Sequence, residues 1–169
     1  MNNNNNISKQ KSIDSIFKRV RFRTDRYPRT VIFDYNPEGI YNLQIDTIKL
    51  EEGEHPIFED YNRNGYTLLT SCFLYCIILN DKESPLLVKD QIFKVAINDI
   101  LYYKSISDII TEQYQRKNYS EVVLKQIDTT TEQGAVLFYL RVGTVEFQFH
   151  EILRQLVCMN NFYKHLQKQ

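Results

Sequence analysis

Residues able to do chemistry are plentiful in this chain, but few are spaced for it. The densest group is cationic: Lys18, Arg19, Arg21, Arg23, Arg26 and Arg29 follow one another with only Asp25 against them. On an extended backbone Arg19, Arg21 and Arg23 share one side, and Val20 and Phe22 the other. Such a ribbon, with Arg26 beyond it, is a candidate surface for the phosphates of anionic lipid or nucleic acid. The quieter reading sets it against the acidic stretch 38–60, where Glu51, Glu52, Glu54, Glu59 and Asp60 collect. The whole chain carries 21 basic and 21 acidic residues. No net field therefore draws it to a polyanion, and internal pairing or solvation is favoured. Rings that would stack on bases are few here, only Phe22 and Tyr27.

A second group lies at 102–119, where Tyr102, Tyr103, Tyr114 and Tyr119 surround Arg116 and Lys117. Tyr and Arg are preferred anchors at protein interfaces, so Tyr114, Arg116, Lys117 and Tyr119 are candidate binding residues. The plainer alternative makes two of these tyrosines the edge of the core and the rest ordinary surface. Ser105 with Asp108 could open a short helix with Ile106, Ile109, Ile110 and Tyr114 on one side, or the stretch could be an extended loop.

The remaining reactive residues are not arranged for catalysis. Cys72 and Cys76 on one strand would be about 13 Å apart, too far for a shared metal or a disulfide unless the chain bends between them. They read as core cysteines, and so does Cys158 beside the stripe of the last helix. His55, His150 and His165 fall in no zinc spacing. No phosphate-binding glycine loop and no nucleophile elbow occur. We therefore expect no catalytic residue, no metal and no cofactor.

These residues need a frame. Ile13, Ile16, Phe17 and Val20 fall at helical spacing after Ser12, which predicts a short N-terminal helix. Strands are expected over 30–35, 40–50, 66–70, 73–79, 91–97, 121–128 and 135–142, with a bulge or strand end near Thr47. The alternation of Val145, Phe147 and Phe149 with Glu146 and Gln148 predicts one more strand, paired through a tight turn at Gly143–Thr144. From Glu151 the period becomes helical, with Ile152, Leu153, Leu156, Val157, Met159, Asn160, Tyr163 and Leu166 on one stripe. Glu151 is expected in the first turn, and His150 at the strand-to-helix junction. Asn36–Gly39, Glu51–Pro56 and Asn62–Gly65 are turn signals.

Three stretches together resemble bacterial pleckstrin-homology-like and GRAM-type domains. Leu50-Glu-Glu-Gly-Glu54 resembles their "L-x-x-G-E" opening, Tyr66–Thr70 with Phe73–Tyr75 their strand pair around a threonine, and Val95–Ile100 their strand ending in D-I. The likeness spans roughly 45–166, and it departs from the family at Cys72-Phe73, where a basic pair is common. It implies an α+β, mainly β architecture: a bent antiparallel β-sandwich or partly open barrel with a C-terminal capping helix. It also implies a binding scaffold, an inference from analogy of fold.

The expected organisation is an Asn-rich tail over 1–11, a helix and basic arm over 12–29, and one domain over 30–169. The odd cysteine count, the lack of a leader and the shortness of the longest apolar run, Leu74–Leu79, suggest a soluble cytoplasmic protein. The favoured function is non-enzymatic binding of a protein partner through a sheet edge or the Tyr-rich stretch. The alternatives are peripheral binding of anionic lipid or nucleic acid, toxin neutralisation of the immunity-protein kind, and a small-molecule enzyme or carrier with a pocket between sheets.

Overall fold

The apolar run at 73–79 and the mostly apolar run at 66–69, with Thr67 within it, belong to strands covered on both faces. A computed structural model describes residues 11–16, 18, 29–79, 91–105, 122–141 and 143–166, and in it β3 (Gly65–Thr70) is buried at every position. β1 (Thr30–Ile32), β2 (Pro56–Tyr61), β3, β4 (Phe73–Ile78) and β5 (Ile92–Ala96) form one antiparallel sheet in chain order. A single 3-10 turn, Ile97–Asp99, then leads into a second antiparallel sheet of β6 (Ile100–Ser105), β7 (Val122–Thr129) and β8 (Ala135–Arg141). Helix α1 occupies residues 11–16, and the 23-residue α2 (Thr144–Leu166) closes the order.

Period two in β3 and β4 sorts their side chains between two cores. Leu69, Leu74 and Cys76 point between the sheets, where they meet Phe58, Val95, Ile127, Phe138 and Leu140. Ile13 and Ile16 of α1 join the same core, as do Val145, Phe149, Ile152, Leu153 and Leu156 of α2. Tyr66, Leu68, Tyr75 and Ile77 point the other way and are covered by Ile48, with Leu43, Ile45 and Leu50 packed against them.

That covering segment is the first correction. Residues 40–50 form no strand and no ladder, so there is no bulge at Thr47. The edge beside β2 is already taken by β1. The segment instead lays its alternate apolar side chains across the outer face, and a buried carboxylate, Glu59, holds the Gln44 N–H at 2.8 Å. Its opening turn forms as expected: Asn36 Oδ1 accepts the Glu38 N–H at 2.9 Å, and Gly39 takes a left-handed φ of 69°.

β2 is the reverse case, a strand unforeseen in what read as acidic chain. Its register with β3 jumps between Pro56 and Phe58, so the bulged Ile57 and its neighbour Phe58 both enter the main core.

The second correction concerns 145–149, which is helix and not strand. Period two and period 3.6 both place Val145 and Phe149 together; they differ over Phe147. Val145 and Phe149 are fully buried and continue the stripe Ile152, Leu153, Leu156, whereas Phe147 is 67% exposed. Gly143, at φ 83°, makes the turn out of β8, and its carbonyl accepts the Phe147 N–H at 3.0 Å. Glu146, and not Glu151, is thus the acid of the first turn. His150 lies within the helix, and Cys158 is on its exposed side rather than in the core. No helix among the described residues is long and apolar enough to cross a membrane.

Candidate functional site

The eight residues singled out for binding, Arg19, Arg21, Arg23, Arg26, Tyr114, Arg116, Lys117 and Tyr119, lie outside the described residues. At the near end of the basic run, Arg29 is described: its guanidinium lies 5.2 Å from the Tyr61 ring centroid, and its carbonyl accepts the Tyr61 N–H. Tyr103 takes the core reading, with its ring among Phe138, Phe149 and His150.

The acidic stretch is used inside the fold. Glu59 receives the Tyr66 hydroxyl at 2.5 Å and both the backbone and side-chain N–H of Gln44. Asp60 accepts from Thr30 at 2.6 Å and from Asn62 at 3.0 Å, and Arg141 lies 3.5 Å away. These two fully buried carboxylates tie β2 to the covering segment, to β1 and to β8. A buried carboxylate is tolerated only when its lone pairs are filled, and here they are filled largely by neutral donors. Tyr66 is correspondingly pushed far above the ordinary phenol range, by burial first and by the Glu59 hydrogen bond second.

Glu54 organises the third acidic position. Gly53, at φ 74°, turns the chain so that the Glu54 carboxylate reaches back to the Glu51 N–H at 2.8 Å. The same carboxylate accepts the Thr70 hydroxyl at 2.6 Å and the Tyr75 hydroxyl at 3.1 Å. Thr70 Oγ1 in turn accepts the N–H groups of Cys72 and Phe73, which shapes the β3–β4 turn. Next along the chain, His55 is buried; its Nδ1 lies 3.0 Å from Tyr41 Oη, and its ring abuts Tyr35. Burial lowers its pKa, while the charges of Asp14 and Glu54 work the other way.

On the outer face of β4, Phe73 and Tyr75 hold the Lys94 ammonium, 3.9 Å and 5.5 Å from their centroids. Lys94 also pairs with Glu51. In the second sheet Lys125, almost wholly buried, pairs with Glu146 in the first turn of α2. Near this pair the buried Tyr103 hydroxyl has no hydrogen-bond partner among the described residues, and burial, with the Glu146 charge second, drives its pKa upward.

The free cysteines divide: Cys76 is fully buried and its thiol pKa is pushed up by burial, Cys72 is half-buried, and Cys158 is exposed. No group of three metal-binding side chains occurs among the described residues.

The surface offers a different kind of feature. The register of β6 with β7 jumps between Ile100 and Tyr102, and the bulged residue between them, Leu101, stands 66% exposed. Ile92, at the start of β5, is also exposed.

No family model, curated protein or solved structure matches this chain. The chemistry must therefore be read from the residues alone. Sequence reasoning overlooked Lys94, Leu101 and Lys125. Leu101 carries a faint signal, since an apolar residue next to Ile100 breaks the alternation; Lys125 carries none, because a lysine in a strand reads as surface.

Proposed function

We propose that this protein is a non-enzymatic, cytoplasmic interaction module on a pleckstrin-homology-like scaffold, and that it binds a protein partner at an exposed sheet edge. The observation that carries the reading is the β-bulge at Leu101. Bulges re-aim side chains at sheet edges, and this one turns a leucine to solvent on a strand that pairs, among the described residues, only with β7. An apolar side chain held out from a paired strand offers a partner apolar surface whose removal from water favours binding.

The scaffold part of the proposal draws on two features. Two antiparallel sheets followed by one amphipathic helix support the architecture that the resemblance implies. Glu54 and Thr70, which come from two of the three stretches carrying that resemblance, meet in one hydrogen bond. The motif thus has a mechanical job: it clamps the turn before β2 against the β3–β4 turn. A fold of this kind is compatible with many functions, so the function is argued from the surface.

The test is capture of a partner from the native cell by the wild-type chain and by Leu101→Glu, with thermal unfolding run beside both. The reading expects a partner retained by the wild type and lost by a still-folded Leu101→Glu. Equal retention by both, or turnover of a small metabolite without any stable partner, overturns it.

A further inference from the structure

Lys94 sits in what has the parts of a receptor for an organic cation. Phe73 and Tyr75 are two apart on β4, so both rings stand on the outer face of the five-stranded sheet. Their centroids are 6.0 Å apart and their planes are inclined at 59°, which makes an open wedge and not a stack. Lys94 is the cross-strand partner of Tyr75, and its ammonium lies within the wedge. Both distances are inside the range of about 6 Å over which a ring quadrupole attracts a cation. The third wall is acidic. Glu51 pairs with the ammonium from the turn before β2, and Glu54 lies behind Tyr75, bonded to its hydroxyl.

Tyr75 is buried while the occupant is partly exposed. Tyr75 packs with Tyr66, Leu68 and Ile77, and Phe73 packs on the same cluster. Lys94 extends from β5, which pairs on one side only among the described residues, and 37% of its side chain meets solvent. A preorganised wall and a partly exposed guest are the conditions under which one cation exchanges for another at small cost.

We infer that the Phe73–Tyr75–Glu51 wedge is a binding site for a quaternary ammonium group, occupied in the free protein by Lys94 as a built-in competitor. A trimethylammonium suits the wedge better than a primary ammonium does, because it is broader, is more weakly hydrated and covers both ring faces at once. The carboxylate of Glu51 supplies the charge. The inference stands apart from the partner reading above, since it involves neither Leu101 nor the second sheet; either can fail without the other.

The experiment titrates tetramethylammonium chloride into the wild-type chain, Lys94→Ala and Lys94→Ala/Phe73→Ala, following the aromatic resonances by NMR. Removing the internal competitor is expected to tighten binding by about tenfold over wild type, and removing Phe73 to reverse that gain. Parallel titrations with choline and with a trimethyllysine peptide distinguish a free small molecule from a protein side chain as the source of the cation. Lys94 is exposed, so the single variant should fold; circular dichroism checks this, and Glu51→Gln, with the rings intact, gives an independent reading by weakening the same titration. Absence of saturable binding to a folded Lys94→Ala, or binding unchanged by loss of Phe73, overturns the assignment. Equal affinity of wild type and Lys94→Ala overturns the role of Lys94 as competitor.

Discussion

Thr67 and Thr70 are both fully buried on β3, yet their hydroxyls have very different work, and valine at each position separates the two cases. Thr70 donates to the Glu54 carboxylate at 2.6 Å and accepts the N–H groups of Cys72 and Phe73 at 3.2 and 2.9 Å. Loss of a hydrogen bond to a charged group costs about 1.5–3 kcal/mol, and each half-covered turn N–H left without its acceptor adds about 1 kcal/mol. Thr70→Val should therefore cost roughly 3–5 kcal/mol. Among the described residues Thr67 donates only to the Tyr139 carbonyl at 3.2 Å, and Asn62 also reaches that carbonyl, at 3.3 Å. Thr67→Val should cost about 0.5–1.5 kcal/mol. The gain from burying an extra methyl is common to both and cancels in the comparison. Urea unfolding with unchanged slope reads the difference, expected at about 2–4 kcal/mol. A double-mutant cycle with Glu54→Gln should assign much of it to the Glu54–Thr70 pair. Equal costs at the two positions would mean that the Glu54 turn is held by Tyr75 and the Glu51 N–H alone, and the clamp described above would not exist.

Other expectations follow from the same contacts. Phe149→Ala should cost about 3–5 kcal/mol and Phe147→Ser within about 0.5 kcal/mol; similar losses at both, measured by chemical unfolding, would restore a strand at 145–149. His55 is held below its ordinary value of 6.5, chiefly by burial, so the fold prefers the neutral ring. Its contribution is complete above the unfolded value and is lost as pH falls through it toward the lower folded one. His55→Gln should thus flatten the acid-side fall in urea midpoint as pH drops below the ordinary value of 6.5, and an unaltered slope would discount His55. A Cβ at Gly65 would stand 2.8 Å from the Ile77 carbonyl oxygen, on backbone that cannot easily retreat. Gly65→Ala should lower stability by about 1–3 kcal/mol in a thermal melt, and a neutral effect would show that β3 and β4 can separate there.

Where local pattern and burial agree, the sequence was legible. Ile13 and Ile16 announced α1, the turn residues Asn36–Gly39 and Asn62–Gly65 fell where expected, and β3, β4, β7 and β8 followed their β-branched and aromatic runs. Legibility failed where two periods share the same residues, as at Val145 and Phe149, or where charge hides a strand, as at Glu59 and Asp60. It failed again at 40–50, whose alternation is genuine but answers to a covered sheet face and not to a ladder. None of the eight residues chosen for binding from sequence falls among the described residues, so the sites proposed here rest on others.

The chain by itself determined the class of object: antiparallel strands joined by tight turns, an amphipathic helix at the end, and equal numbers of acidic and basic residues. Those properties reside in neighbours along the backbone, where propensity and period act. Only the tertiary structure decided which acids are buried, that Glu54 meets Thr70, that Lys94 lies between Phe73 and Tyr75, and that Leu101 is turned outward. Each of these joins residues far apart in sequence, or hangs on a one-residue shift in strand register, and neither composition nor periodicity carries that information.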